Sequence, residues 1–352
     1  MSTRSQYHVS RVYVKTKLIS VTIFFLALLI FAEFPEELLA APYYQGKIIT
    51  IICSAAPGGG YDTPARLMAK YLPKYIPGKP TIIVQNMPGA GGVVAANYLF
   101  NVAKPDGQTI GIIHRGLPFT QLLKAPGVRF DLRKFAWLGS VGVEVTTLAI
   151  RSDLPYRTFQ DLQKAKGPVY LANTGPTAKD GQWSNILKEF LGLNLRFTVY
   201  PATTDCALAI ERREADGRGG SFSSVQTLFD RGVVRLVLRS RASTSEIENL
   251  HLPIDEDMTT DKMGKTIMAL LTAPDRDCCR PFLAPPKTPS EAVGILREAF
   301  AITVKDQEFL KDAMRLNMQA QFVPPTEGVK TLNYIFNQPD EVVKILSKYL
   351  TF

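Results

Sequence analysis

Ala55-Ala56-Pro57-Gly58-Gly59-Gly60-Tyr61-Asp62 follows the apolar run Ile48 to Ile52, within the strand Lys47 to Ile52, and precedes Thr63 to Leu72, whose spacing is helical. The reading is strand, glycine turn, helix. Three consecutive glycines remove side-chain bulk where the strand hands over, so backbone N–H groups can approach an anionic oxygen closely. Asp62 suits a helix cap and Pro64 a first turn, which aims the positive end of the helix dipole at the same place. Pro57, Gly58, Gly59, Gly60, Tyr61 and Asp62 are therefore candidate contacts for a carboxylate or phosphate. The competing reading, in which the glycines only form the turn, stands beside it. No Gly-Lys-Ser/Thr follows, so the phosphate loop of a nucleotide hydrolase is excluded.

Outward from this turn, short apolar runs alternate with helical patterns, as in a parallel sheet with crossover helices. Thr81 to Gln85 and Gln108 to His114 read as strands around a helix over Gly91 to Ala103. Trp137 to Val141 and Val145 to Ile150 form an extended stretch that leaves this unit. A second series follows, with strands at Val169 to Asn173, Arg196 to Tyr200, Gly217 to Gly219 and Val234 to Leu238. Lys265 to Ala273 returns to the first unit. The expected domains are 41–143 with 265–352, and 144–264, the second inserted in the first with a cleft between them. Ligands in such sheets bind beyond the carboxyl ends of strands, so the loops at 56–62, 115–116, 174–179 and 219–223 are expected to face that cleft.

The chain has 352 residues, 46% of them hydrophobic, enough for two domains. Residues 1–40 read as a secretory signal peptide or an uncleaved anchor. Arg4, Arg11, Lys15 and Lys17 precede an apolar run from Leu18 to Phe31, shorter than the roughly 20 residues a spanning helix needs. The whole chain carries +9, and residues 41–352 carry +8. This excess favours anionic small ligands; the scattered cations do not form the aromatic-interleaved runs of a nucleic-acid surface. Cys53, Cys206, Cys278 and Cys279 make a poor disulfide framework and are expected mainly as buried thiols, with a bridge from Cys206 to the adjacent pair left open. With no CxxC and few histidines, neither a metal site nor a cofactor is expected.

Other motifs each admit two readings. Asn86 to Gly92 approximates a dinucleotide fingerprint but misses its spacing, and serves equally as a tight strand-to-helix turn. Asn173, Thr174 and Gly175 suit hydrogen bonding to a ligand carboxylate or an ordinary turn. Gly219-Gly220-Ser221-Phe222-Ser223 lacks the closing glycine of a nucleophile elbow; Ser221 is a hydroxyl donor to a bound oxygen or a helix cap. Asp205, Arg212, Arg213, Asp216, Arg218 and Arg280 include charges able to reach the cleft, with Arg218 and Arg280 foremost. Trp137 and Trp183 read as packing residues.

Ala56-Pro57-Gly58-Gly59-Gly60-Tyr61-Asp62, Asn86 to Gly92 and Lys104-Pro105-Asp106-Gly107-Gln108-Thr109-Ile110 resemble, in kind and spacing, three segments of the Bug family, the periplasmic solute receptors of tripartite tricarboxylate transporters. Tyr200 to Thr203, Arg212 to Ser221 and Arg280 to Pro286 extend the likeness over roughly 46–325. The resemblance implies a type II periplasmic binding protein: α/β, with two lobes joined by crossing strands around a ligand cleft. One ligand carboxylate would be held by the loop at Ala56 to Asp62, and the other end by Asn173, Thr174 and Gly175, with Gly220 and Ser221. His114-Arg115-Gly116 stands where many relatives have small residues, and Asp205 where they have apolar or small ones. Arg115 and Asp205 thus become candidate ligand contacts that alter the pocket's charge pattern.

The resulting expectation is a monomeric, non-catalytic periplasmic receptor that presents a small organic acid to the membrane subunits of such a transporter. A ligand sensor for a signalling partner is the alternative. A secreted serine hydrolase using Ser221, with His114 or His251 as base, has no support from spacing.

Overall fold

The computed structural model describes residues 41–350 apart from Gly59, Pro176, Thr177 and Asn317, so the leader lies outside the described residues. Two sheets organise the chain. The first has six strands in the order β11-β4-β10-β3-β1-β2, namely β1 (Ile48–Cys53), β2 (Thr81–Asn86), β3 (Thr109–Ile112), β4 (Ala136–Val141), β10 (Pro281–Ala284) and β11 (Phe322–Val323). The second has five in the order β7-β6-β8-β5-β9: β5 (Thr146–Arg151), β6 (Val169–Asn173), β7 (Leu195–Val199), β8 (Gly217–Ser221) and β9 (Val234–Arg239).

β1 lies inside its sheet, parallel to both β2 and β3, and Ile49, Ile51, Ile52 and Cys53 are all buried. A run buried on both faces is what a central parallel strand requires; each such isoleucine contributes about 1.5–3 kcal/mol of burial. β2, at the edge, leaves Thr81, Ile83 and Gln85 exposed on one face.

The alternation of the sequence implies parallel sheets, yet both sheets are mixed. β10 runs antiparallel to β3 and β4, and β5 antiparallel to β8 and β9. β5 and β10 are the first strands after each passage between the sheets. They enter from the end at which their neighbours leave, so their direction is reversed. The outward passage runs through Gly142, with φ of +79°, to Glu144. The return is the helix Lys262–Asp277, with Pro274 inside it, followed by Cys278 and Cys279.

That return segment was expected to join the first unit, and its packing is divided. Ile267, Met268, Leu270 and Leu271 share a core with Leu148, Trp183 and Leu187 of the second sheet's layer, as do Val342, Leu346 and Leu350. Phe282, Leu296, Phe300 and Phe309 pack with Ile49, Ile51 and Met68 around the first sheet. Trp137 and Trp183 are both buried in packing, with indole N–H groups donating to Leu132 O at 3.1 Å and Asp255 Oδ2 at 2.8 Å. Among the described residues no helix is long and apolar enough to cross a membrane.

Candidate ligand-binding crevice

The glycine turn after β1 is held by its own carboxylate. Asp62 begins the helix Asp62–Tyr71 with Tyr61 at the N-cap position, so it does not cap the helix as its place in the sequence suggests. It reaches back instead. Gly58 N–H donates to Asp62 Oδ2 at 2.8 Å, Arg66 Nε to the same oxygen at 2.7 Å, and Asn86 Nδ2 to Oδ1 at 2.8 Å. Burial pushes the Asp62 pKa up, but Arg66, Gly58 and Asn86 outweigh it and hold the carboxyl below its usual range. Asn86 also donates to Ala55 O at 2.9 Å, so the second glycine-rich motif braces the first. One amide that the sequence offers to a ligand is therefore spent on Asp62. Pro57, Gly58 and Gly60 are exposed, Gly60 O accepts from Arg280 Nε at 3.4 Å, and Gly59 lies outside the described residues.

Tyr61 connects this turn to the loop after β3. Its buried hydroxyl accepts the Arg115 N–H at 3.0 Å, and its ring lies 5.1 Å from that of His114. The Arg115 side chain then spans toward the second sheet. Nε stands 2.7 Å from Asp275 Oδ1, Nη2 donates to Ser221 Oγ at 3.4 Å, and Nη1 to Cys279 Sγ at 3.5 Å. Asp275, 1% exposed, is also 3.0 Å from Lys179 Nζ and accepts from Thr146 Oγ1 at 3.1 Å. Burial raises its pKa, and Arg115 with Lys179 lower it further than burial raises it. Two cations around one carboxylate leave a local charge of +1.

A cavity of about 540 Å³ opens beside this trio. Its walls include Ala90 and Gly91 of the turn after β2, His114, Arg115 and Phe119, and Lys179 and Gln182 of the helix Lys179–Leu191. Gly92, with φ of +97°, allows the close approach: a Cβ there would meet the His114 Cβ at 3.0 Å. The His114 ring keeps an exposed face, yet the surrounding walls and the Arg115 guanidinium lower its pKa, leaving a neutral imidazole at pH 7.

Arg115, Ser221 and Tyr61 are thus brought together with the Gly60 end of the turn. At the end of β6, Asn173 Oδ1 accepts the Gly175 N–H at 3.2 Å, and Thr174 donates its N–H at 2.8 Å to Asp180 of the helix Lys179–Leu191. Asp180 also pairs with Arg218 at 2.8 Å, beneath Gly220, whose missing side chain leaves room for that guanidinium. Arg218 is therefore buried in packing and does not reach the open crevice, while Arg280 bridges Gly60 and Glu144, the latter at 3.3 Å. Asp205 sits half-buried in the first turn of the helix Thr203–Glu211, outside the walls of the 540 Å³ cavity. All four cysteines are buried free thiols, so no bridge joins Cys206 to Cys278 or Cys279.

Lys179, Gln182 and Asp275 escaped the residue-level reading. Lys179 closes a loop expected to face the cleft. Asp275 carries no local mark, because a buried acid becomes recognisable only once its two cations are placed beside it.

Two α/β lobes about a cationic crevice define a protein of the periplasmic binding class, and the comparisons agree. The fold matches a TctC solute binding protein from Polaromonas with a TM-score of 0.68 at 19% identity, over 87% of this chain and 99% of that one. It matches MatC from Rhodopseudomonas palustris, solved with bound malate, with a TM-score of 0.61 at 18% identity, over 85% and 99%. A curated protein of Agrobacterium vitis, the UPF0065 protein in the TAR-I ttuE-ttuC' intergenic region, is 31% identical over 192 residues, 51% of this chain. The matched stretch spans only about half, 54%, of that relative's own length. Residues 65–323 match the model of the tripartite tricarboxylate transporter family receptor, and the chain belongs to that family. The resemblance drawn from the three glycine-rich segments is thereby borne out.

Proposed function

We propose that this protein is an extracytoplasmic, non-catalytic receptor that closes its lobes over a small carboxylated molecule and presents it to the membrane subunits of a tripartite tricarboxylate-type transporter. The observation that carries this reading is the Arg115–Asp275–Lys179 trio, a net cation set where loops of both sheets meet. A ligand carboxylate gains charge-assisted hydrogen bonds there that are worth more than in open water. Closure follows from the ligand's preference for the state in which both walls touch it. The malate bound by the structural neighbour MatC supports the carboxylate class. Tyr61, next to the glycine turn, is tied to the crevice by the hydrogen bond it accepts from the Arg115 N–H, and the export expected from residues 1–40 suits a periplasmic location.

Ser221 does not favour hydrolysis. Its hydroxyl faces the Arg115 guanidinium, a group that cannot accept a proton.

A thermal-shift screen of mono-, di- and tricarboxylates against their amides tests the proposal. Acids that bind the folded state raise the midpoint by mass action and the neutral amides leave it unchanged; equal shifts from acid and amide contradict it.

A further inference from the structure

We infer that the ligand this crevice is built for is a monocarboxylate with an apolar body, its carboxylate at Arg115 and Lys179 and its body in the 540 Å³ cavity beside them. This rests on the receptor reading above and narrows it.

Charge comes first. Arg115 and Lys179 already share Asp275, and among the described residues no other cation lines the cavity. The surplus of +1 balances one carboxylate. A second one would be drawn out of water without a counter-charge, which is unfavourable. The Arg115 terminal nitrogens meet Ser221 and Cys279 only at 3.4 and 3.5 Å, long for a guanidinium, so they retain donor capacity for that one anion.

Apart from His114, Thr120 and Gln182, the remaining wall is largely of the opposite character. Val93, Phe119, Ala125, Pro126, Leu271 and Leu350 present carbon surface to the cavity. At about 540 Å³ the cavity leaves room for the body of an acid beyond its carboxylate. Releasing water from such walls favours a ligand that fills them with carbon.

Calorimetric titration of the purified protein with hexanoate and phenylacetate, against succinate and citrate at equal ionic strength, tests the assignment. The monocarboxylates are expected to bind at least tenfold more tightly than either polyacid. Ala125→Trp, at a half-buried wall position, is expected to weaken them at least tenfold with an unchanged circular-dichroism melt; should that melt change, Ala125→Met makes the same test with a smaller side chain. Tight succinate or citrate binding with silent monocarboxylates overturns the ligand class and leaves the receptor reading intact. No binding by any of the four overturns the ligand class, while the receptor reading is decided separately by the thermal-shift screen of acids against amides. A bound monocarboxylate indifferent to the residue 125 variants removes the body from this cavity and overturns the placement.

Discussion

Arg115, on the loop after β3, and Asp275, near the end of the helix Lys262–Asp277, stand 2.7 Å apart, so one ion pair ties the first sheet to the segment that returns from the second. Lys179, on a third element, joins the same carboxylate at 3.0 Å. In the proposed function a ligand carboxylate would take the place Asp275 holds here, between cations from both sides of the crevice.

Asp275→Asn leaves Arg115 and Lys179 facing each other without their anion. Breaking one partner of a buried pair typically costs about 3–5 kcal/mol, and a loss of that order is expected in urea unfolding. Asp275→Ala should cost no less. A loss below about 1 kcal/mol would show that crevice water already screens the trio.

Asp62→Ala removes the acceptor for Gly58, Arg66 and Asn86. We expect a destabilisation of about 2–3 kcal/mol, together with faster proteolysis within residues 55–62. Gly58→Ala, at φ +77°, should cost about 1 kcal/mol or more through backbone strain alone.

Asp255 is buried, accepts the Trp183 indole N–H, and has its pKa pushed up to about 7 by burial. A pKa raised in the folded state means that the contribution is full below the ordinary value near 3.8 and is lost as pH rises toward 7. Within that window the slope from this group reaches on the order of 1.4 kcal/mol per pH unit. Urea midpoints measured from pH 4 to 8 should therefore fall less steeply in Asp255→Asn than in the parent protein. Parallel profiles would contradict the assignment.

The thiols give a chemical check on the core. With all four buried and unpaired, a disulfide-exchange reagent should find none reactive in the native protein and four after unfolding, and reductant should leave the melting temperature unchanged.

The backbone plan was legible because its signals are local. Ile48 to Cys53 is apolar apart from Thr50, and the glycines at 58–60 and at 89, 91 and 92 mark its turn and its neighbour's. The family likeness rested on those same residues. β10 and β11 were not separately visible, since Pro281–Ala284 and Phe322–Val323 are four and two residues long; β10 is paired by β3 and β4, and β11 by β4. The candidate site was only half legible. Arg115 and Ser221 stood out as polar groups at strand ends. Asp62, Asn173 and Thr174 also read as ligand contacts; in the structure Asp62 bonds Gly58, Arg66 and Asn86, Asn173 bonds Gly175, and Thr174 bonds Asp180. Short polar groups at strand ends suit both roles, and only geometry separates them. Asp275 belonged to a segment expected to be plain first-unit structure, and its partners, Lys179 and Arg115, stand far away in sequence, beyond any window of local pattern.

The most direct test is a crystal structure of the protein with the acid that gives the largest thermal shift. The account predicts an intact, unconverted acid between the two sheets with its carboxylate within hydrogen-bond reach of Arg115 or Lys179. An acid bound outside the crevice, or found there as a cleaved product, would contradict it.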